Sequence, residues 1–106
     1  MIDFKDLNKV SVRQLEHKNQ FIIRYNNQKN PCLNCVCFQS YATLICMWAS
    51  NEKKLYINWS MWDYSKTTLK HLKQFINQYT PFEYLTKQDF LKFLKTSDNV
   101  VLFNEN

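Results

Sequence analysis

The sequence predicts a single α+β domain over residues 1–106: an antiparallel sheet of about four to five strands, with two helices packed on one face. Three observations predict it. The first sixty residues alternate or cluster β-branched and aromatic residues in short runs separated by polar stretches, as strands do. From Ser65 the apolar period changes from two to nearly four, as in a helix. The strands follow one another with no helix between them, which favours antiparallel pairing, and the helices come late and together, which places them on one face.

The elements follow in order. Residues 2–8 form a short polar lead-in. Val10, Val12 and Leu15 alternate with polar neighbours and predict a strand; His17-Lys18-Asn19-Gln20 reads as a turn, and Phe21-Ile22-Ile23-Arg24-Tyr25 as its hairpin partner. Asn26–Pro31 is a polar loop. Val36–Trp48 is apolar and too long for one strand, so two halves are predicted with a break or bulge near Ser40. Leu55, Ile57 and Trp59 alternate with Tyr56, Asn58 and Ser60. A helix then runs from an N-cap at Ser65, with Leu69, Leu72, Ile76 and Tyr79 on one face, Phe75 beside them, and Lys66, Lys70, Lys73 and Asn77 on the other, and ends before Pro81. Thr86 and Asp89 read as a capping box opening a second helix that reaches about Thr96. Val100–Phe103 is a last short strand.

Composition limits both fold and function. Eight Phe, six Tyr and three Trp supply a core that a disordered chain lacks. Glycine is absent, so turns are expected at Asn, Asp and Ser: Asn26-Asn27, Asn30-Pro31, Ser50-Asn51 and Asp98-Asn99. The net charge of +5 is carried by twelve Lys against two Arg, Arg13 and Arg24. Lysine contacts phosphates as a point charge, whereas bidentate base reading prefers arginine, so sequence-specific DNA reading is disfavoured. The opening residues lack a basic region followed by an apolar run, and the longest apolar run is too short for a bilayer. A cytoplasmic protein with reduced thiols and no membrane association is expected.

The stretch Phe38-Gln39-Ser40-Tyr41-Ala42-Thr43-Leu44-Ile45, followed by Trp62-Asp63-Tyr64-Ser65-Lys66-Thr67-Thr68-Leu69, resembles a family of short proteins of phages, prophages and other mobile elements of AT-rich bacteria. Its signature is a Ser-Tyr-x-Thr strand, here Ser40, Tyr41 and Thr43, and Trp-x-Tyr-Ser-x-Thr-Thr running into a helix, here Trp62, Tyr64, Ser65, Thr67 and Thr68. The resemblance covers about residues 21–76 and carries no activity with it. It implies a setting: a phage-type accessory protein inside a bacterial host cell. Two readings of the signature stand side by side. In the structural one, Trp62 and Tyr64 plug the strand-to-helix corner while Ser65 or Thr67 caps backbone N–H groups. In the functional one, the hydroxyls, Lys66 and the helix N-terminus bind an anion.

Other constellations are weaker. Cys32-Leu33-Asn34-Cys35-Val36-Cys37 holds half of a zinc site, but no second Cys-x-x-Cys follows, so Cys46, His17 or His71 would have to complete it. The expectation is ordinary thiols, no metal and no cofactor. With no glycine there is no Gly-rich phosphate loop, and Asp63, Glu83 and Asp89 are the only carboxylates near His71 in sequence without forming a paired motif. No catalytic residue is expected. The site expectation is Lys66, Lys70 and Lys73, with His71 at the edge of their stripe, contacting phosphates or an acidic protein surface. The functional expectation is a non-enzymatic accessory protein, monomer or homodimer, that binds and occludes a host defence complex such as a CRISPR effector. The alternative is a small basic nucleic-acid-binding protein using the same lysines. Should the lysines be only a solvated face, the strand side around Tyr56, Asn58 and Ser60 is the place to look.

Overall fold

A computed structural model describes residues 9–15, 19–26 and 34–104. The lead-in over 2–8, residues 17 and 18 of the turn, the loop at 27–33, Cys32 and His17 lie outside the described residues. Eight elements follow one another: β1 (Lys9–Gln14), β2 (Gln20–Asn26), β3 (Cys35–Ser40), β4 (Thr43–Ala49), β5 (Lys54–Asn58), α1 (Lys66–Tyr79), α2 (Lys87–Thr96) and β6 (Val100–Phe103). The strands form one sheet in sequence order, so the α+β class stands.

Two details differ from the sequence expectation. The described sheet has six strands rather than four to five, because both halves of the 36–48 run and the terminal 100–103 run all pair. The sheet is also mixed rather than antiparallel: β1 to β5 form an antiparallel meander, but β6 runs parallel to β5. The reason is the crossover. Two helices lie between β5 and β6, and a strand that returns over a face of its sheet arrives in the same direction as the strand it left. The backbone then zips up: Leu55 N donates to Asn99 O, and Trp59 N to Phe103 O.

The break near Ser40 resolves into a bulge and a hairpin. Cys46 stands opposite Phe38 and Leu44 opposite Gln39, leaving Ile45 as the extra residue. Tyr41 and Ala42 then turn the chain, with Tyr41 at φ 54°. Of the other non-glycine residues at positive φ, Asn19 (65°) fits the residue types expected at turns, whereas Lys53 (55°), closing the turn that Ser50 and Asn51 open, does not.

Residues directly opposite in the register share a face of the sheet. Ile22, Val36, Phe38, Cys46, Trp48, Leu55 and Ile57 share one, and α1 and α2 close over it with Leu72, Phe75, Ile76, Phe90 and Leu94. Aromatic rings tie α2 to the segments on either side of α1 and to β4: Trp62 meets Phe90 edge-on at 5.9 Å, Tyr84 stacks on Phe90 at 4.4 Å, and Phe82 bridges Trp48 and Phe93. The link between the helices is clasped by Asn77, whose Nδ2 donates to Tyr84 O while its Oδ1 accepts from Tyr84 N.

Candidate functional site

α1 is a 14-residue helix with no acidic residue in it. Ser65 caps it, its Oγ accepting from Thr68 N, and Thr68, His71, Leu72, Phe75 and Ile76 are its buried side. At 100° per residue, the direction opposite that buried side is occupied by Lys66, Lys70 and Lys73, and all three are exposed. They span about two turns, roughly 10 Å along the axis.

His71 does not belong to that stripe. It is 0 % exposed and lies 6.4 Å, ring to ring, from Phe38 in the core. The apolar face expected from Leu69, Leu72, Ile76 and Tyr79 with Phe75 beside them is centred closer to Phe75 and extends to Thr68 and His71, because the helix sits over β3 and packs Phe75 on Phe38. On the strand side Tyr56 is half-buried and Ser60 is exposed. Asn58 is buried, donates from Nδ2 to Leu44 O, and accepts from Ser60 Oγ at 2.9 Å, so it braces the turn after β5.

The two halves of the signature meet at the N-terminal end of α1. Ser40 Oγ accepts from Gln20 Nε2 at 2.9 Å and lies 3.1 Å from Tyr64 Oη and 3.4 Å from Thr68 Oγ1. Ser65 donates to Thr68 Oγ1 at 2.9 Å. One proton order satisfies the chain: Ser65 to Thr68, Thr68 to Ser40, Ser40 to Tyr64, with Gln20 donating to Ser40. Ser40, Thr68 and Gln20 are buried, so these bonds are made inside the protein. Trp62 plugs the corner, 2 % exposed, with Lys87 Nζ 5.9 Å from its ring centroid. Tyr64 does not plug it; it is 45 % exposed and reaches the corner through its hydroxyl. The cap is Ser65, not Thr67, which is exposed. Tyr41 points outward at the hairpin tip, and Thr43 is half-buried opposite Ser40.

The described cysteines are divided by the sheet. Cys35 and Cys37 stand opposite Tyr25 and Ile23 on the face turned away from the helices, whereas Cys46 and His71 belong to the helical side. A zinc site joining His71 to Cys35 and Cys37 would have to cross the sheet. Among the described residues no group of three or more His, Cys, Asp or Glu is placed to hold a metal ion. Burial raises the Cys46 thiol well above its ordinary range; Cys37 is raised by its hydrogen bond to Cys35 and by burial, and that same bond lowers Cys35. Asp63, one of the carboxylates near His71 in sequence, is on the surface in an ion pair with Lys87 at 3.4 Å, and Asp89 N is capped by Thr86.

Sequence reasoning passed over one cluster. Both arginines of the protein converge on Tyr79, in the last turn of α1: Arg13 Nη2 donates to its Oη at 2.8 Å, and the Arg24 guanidinium lies 5.2 Å from its ring centroid. The available signal was the pairing of the first two strands, since the register that sets Arg13 opposite Ile22 and Arg24 opposite Val36 puts both on the helical face.

A family model, described as a family of unknown function (DUF8033), matches residues 10–92. The chain belongs to DUF8033. The DUF8033 match takes in β1 to β5, the Ser40–Thr68 hydroxyl chain, α1 and the first half of α2. No curated protein and no solved structure matches the chain. The chain has no described helix long and apolar enough to cross a membrane.

Proposed function

We propose that this protein is a non-enzymatic accessory protein that binds a large host assembly and blocks it by occlusion, docking through the outer face of α1. The observation that supports the reading is the exposed row Lys66, Lys70 and Lys73 on a helix without a single acid, backed by a buried apolar side that fixes the helix on the sheet. Such a row complements a negatively charged surface, and complementarity of this kind speeds encounter and rejects basic partners. The resemblance to mobile-element proteins points to a host defence complex, a CRISPR effector among them, as the target class. The test is direct. The purified protein is added to such a complex and binding of its target nucleic acid is followed. Loss of target binding with the wild-type protein, restored by the triple variant Lys66→Glu/Lys70→Glu/Lys73→Glu, is the expected result; unaltered target binding at saturating protein counts against the reading.

A second reading, direct binding of nucleic acid, is favoured by the spacing. Roughly 10 Å of helix covers about three phosphates of one strand of duplex at ~3.4 Å each. Three phosphate contacts give a slope of log affinity against log salt of about −2.7 on duplex DNA. Retention of affinity from low to high salt, or no complex at low salt, removes this reading.

A further inference from the structure

We propose that Arg13 and Arg24, which both meet Tyr79, form an anion-binding cleft for the phosphate of a nucleotide, separate from the lysine face of α1. The two guanidinium groups gather around one phenol: one is hydrogen-bonded to its oxygen and the other lies against its ring. Both side chains are exposed, and among the described residues neither arginine has a carboxylate partner. Two like charges brought to the same ring repel, and an anion between them reverses the sign of that interaction. Each guanidinium carries five N–H donors in a planar fork, and Arg13 spends one of them on Tyr79. Among the described residues the others have no hydrogen-bond partner, and such forks suit the several oxygens of a phosphate.

The space around the pair argues for more than a bare ion. One groove of about 270 Å³ is lined by Val12, Arg13, Ile22, Arg24 and Tyr79. A second, of about 260 Å³, continues past Arg24 and Tyr79 to Asn34, Trp48, Ser50 and Gln78. Each lies just below the ~300–1,000 Å³ usual for a small-molecule site, and Arg24 and Tyr79 line both. The first groove offers the two cations; the second offers amide and hydroxyl groups beside aromatic walls, the surroundings that suit a base and a sugar. A competing role exists for the arginines. α1 has no basic residue in its last turn, so they also lie where a cation favours the negative end of the helix.

The experiment separates these roles and the two sources of the phosphate. Binding of adenosine 5′-monophosphate and of a short single-stranded oligothymidylate to the full chain is measured by calorimetry, beside melting temperature. Arg13→Ala and Arg24→Ala should each weaken binding about tenfold or more, and Arg24→Lys should not restore it, because lysine lacks the fork. Binding of the mononucleotide identifies a free nucleotide as the ligand; binding of the oligonucleotide alone identifies a strand. Lys66→Glu/Lys70→Glu/Lys73→Glu should leave mononucleotide binding unchanged, so that failure of the lysine-face reading and failure of the cleft are distinguishable. Absence of binding by both probes overturns the proposal. So does binding that survives both arginine substitutions, whether or not the melting temperature falls.

Discussion

Tyr41 holds a backbone conformation that bulky residues avoid. It is the first of two residues closing the β3–β4 hairpin, at φ 54°, where glycine is the usual occupant. Its side chain is 60 % exposed, and its backbone does the binding: Tyr41 N donates to Asn19 O at 2.6 Å, and Tyr41 O accepts from Gln39 Nε2 at 2.7 Å. Glycine keeps both of those bonds and relieves the φ, so Tyr41→Gly should stabilise the domain by about 1 kcal/mol, read as a higher denaturant midpoint at unchanged slope. Ser40, one residue earlier, behaves in the opposite way. Its hydroxyl is the partner of the Gln20 amide, whose Oε1 is buried with no hydrogen-bond partner. Ser40→Ala leaves both ends of a 1 %-exposed amide without a bond and should cost about 1–3 kcal/mol. In a Gln20→Met background the same substitution should cost less, because the amide that needed the hydroxyl is gone and only Thr68 and Tyr64 lose a partner. Equal costs in both backgrounds would mean that the Gln20–Ser40 bond carries none of the cost, which would then fall on the bonds of Ser40 to Tyr64 and Thr68.

At the scale of elements, α1 separates stability from charge. Lys66→Glu/Lys70→Glu/Lys73→Glu should shift stability by no more than about 0.5 kcal/mol per site, since all three are exposed. Leu72→Ala should cost roughly 2–5 kcal/mol, since Leu72 is fully buried between α1 and the sheet. Thermal melts of the two variants test the pair, and a triple variant that fails to fold would show that the lysines serve the fold. This helix was legible because its signals are local: a Ser cap, a 3.6-residue period and a Pro after its end. The location of His71 was not. A helical wheel gives the width of the apolar side, but its centre is fixed by what lies beneath, and only the placement over Phe38 turns His71 inward. The convergence of Arg13 and Arg24 on Tyr79 was hidden for the same reason, since it joins residues 66 apart through a strand register and a helix position.

The whole molecule extends this contrast between local and long-range information. Strand content was readable from composition, and the direction of β6 was not, because the two preceding helices, rather than residues 100–103 themselves, set it parallel. The same assembly gives the protein one pH-dependent property that belongs to no single element. Cys46 is raised by burial, Tyr84 by burial and then by the charge of Asp63, and Tyr25 by burial and then by Cys37 and Cys35. Each is therefore protonated in the folded state at a pH where its unfolded counterpart has begun to lose its proton. The native state then binds more protons than the unfolded one, and stability falls as pH rises. The stabilising difference is fully present below about pH 9, where an unfolded thiol is still protonated, and is lost as pH climbs through the raised folded values. For the buried thiol alone the limiting slope is about 1.4 kcal/mol per pH unit. Denaturant midpoints measured from pH 7 to 11 should decline above pH 9, and Cys46→Ala, less stable at neutral pH because it empties core volume, should decline less steeply by about that slope. A parallel decline in both proteins would assign the alkaline loss to Cys37 and the tyrosines instead of Cys46.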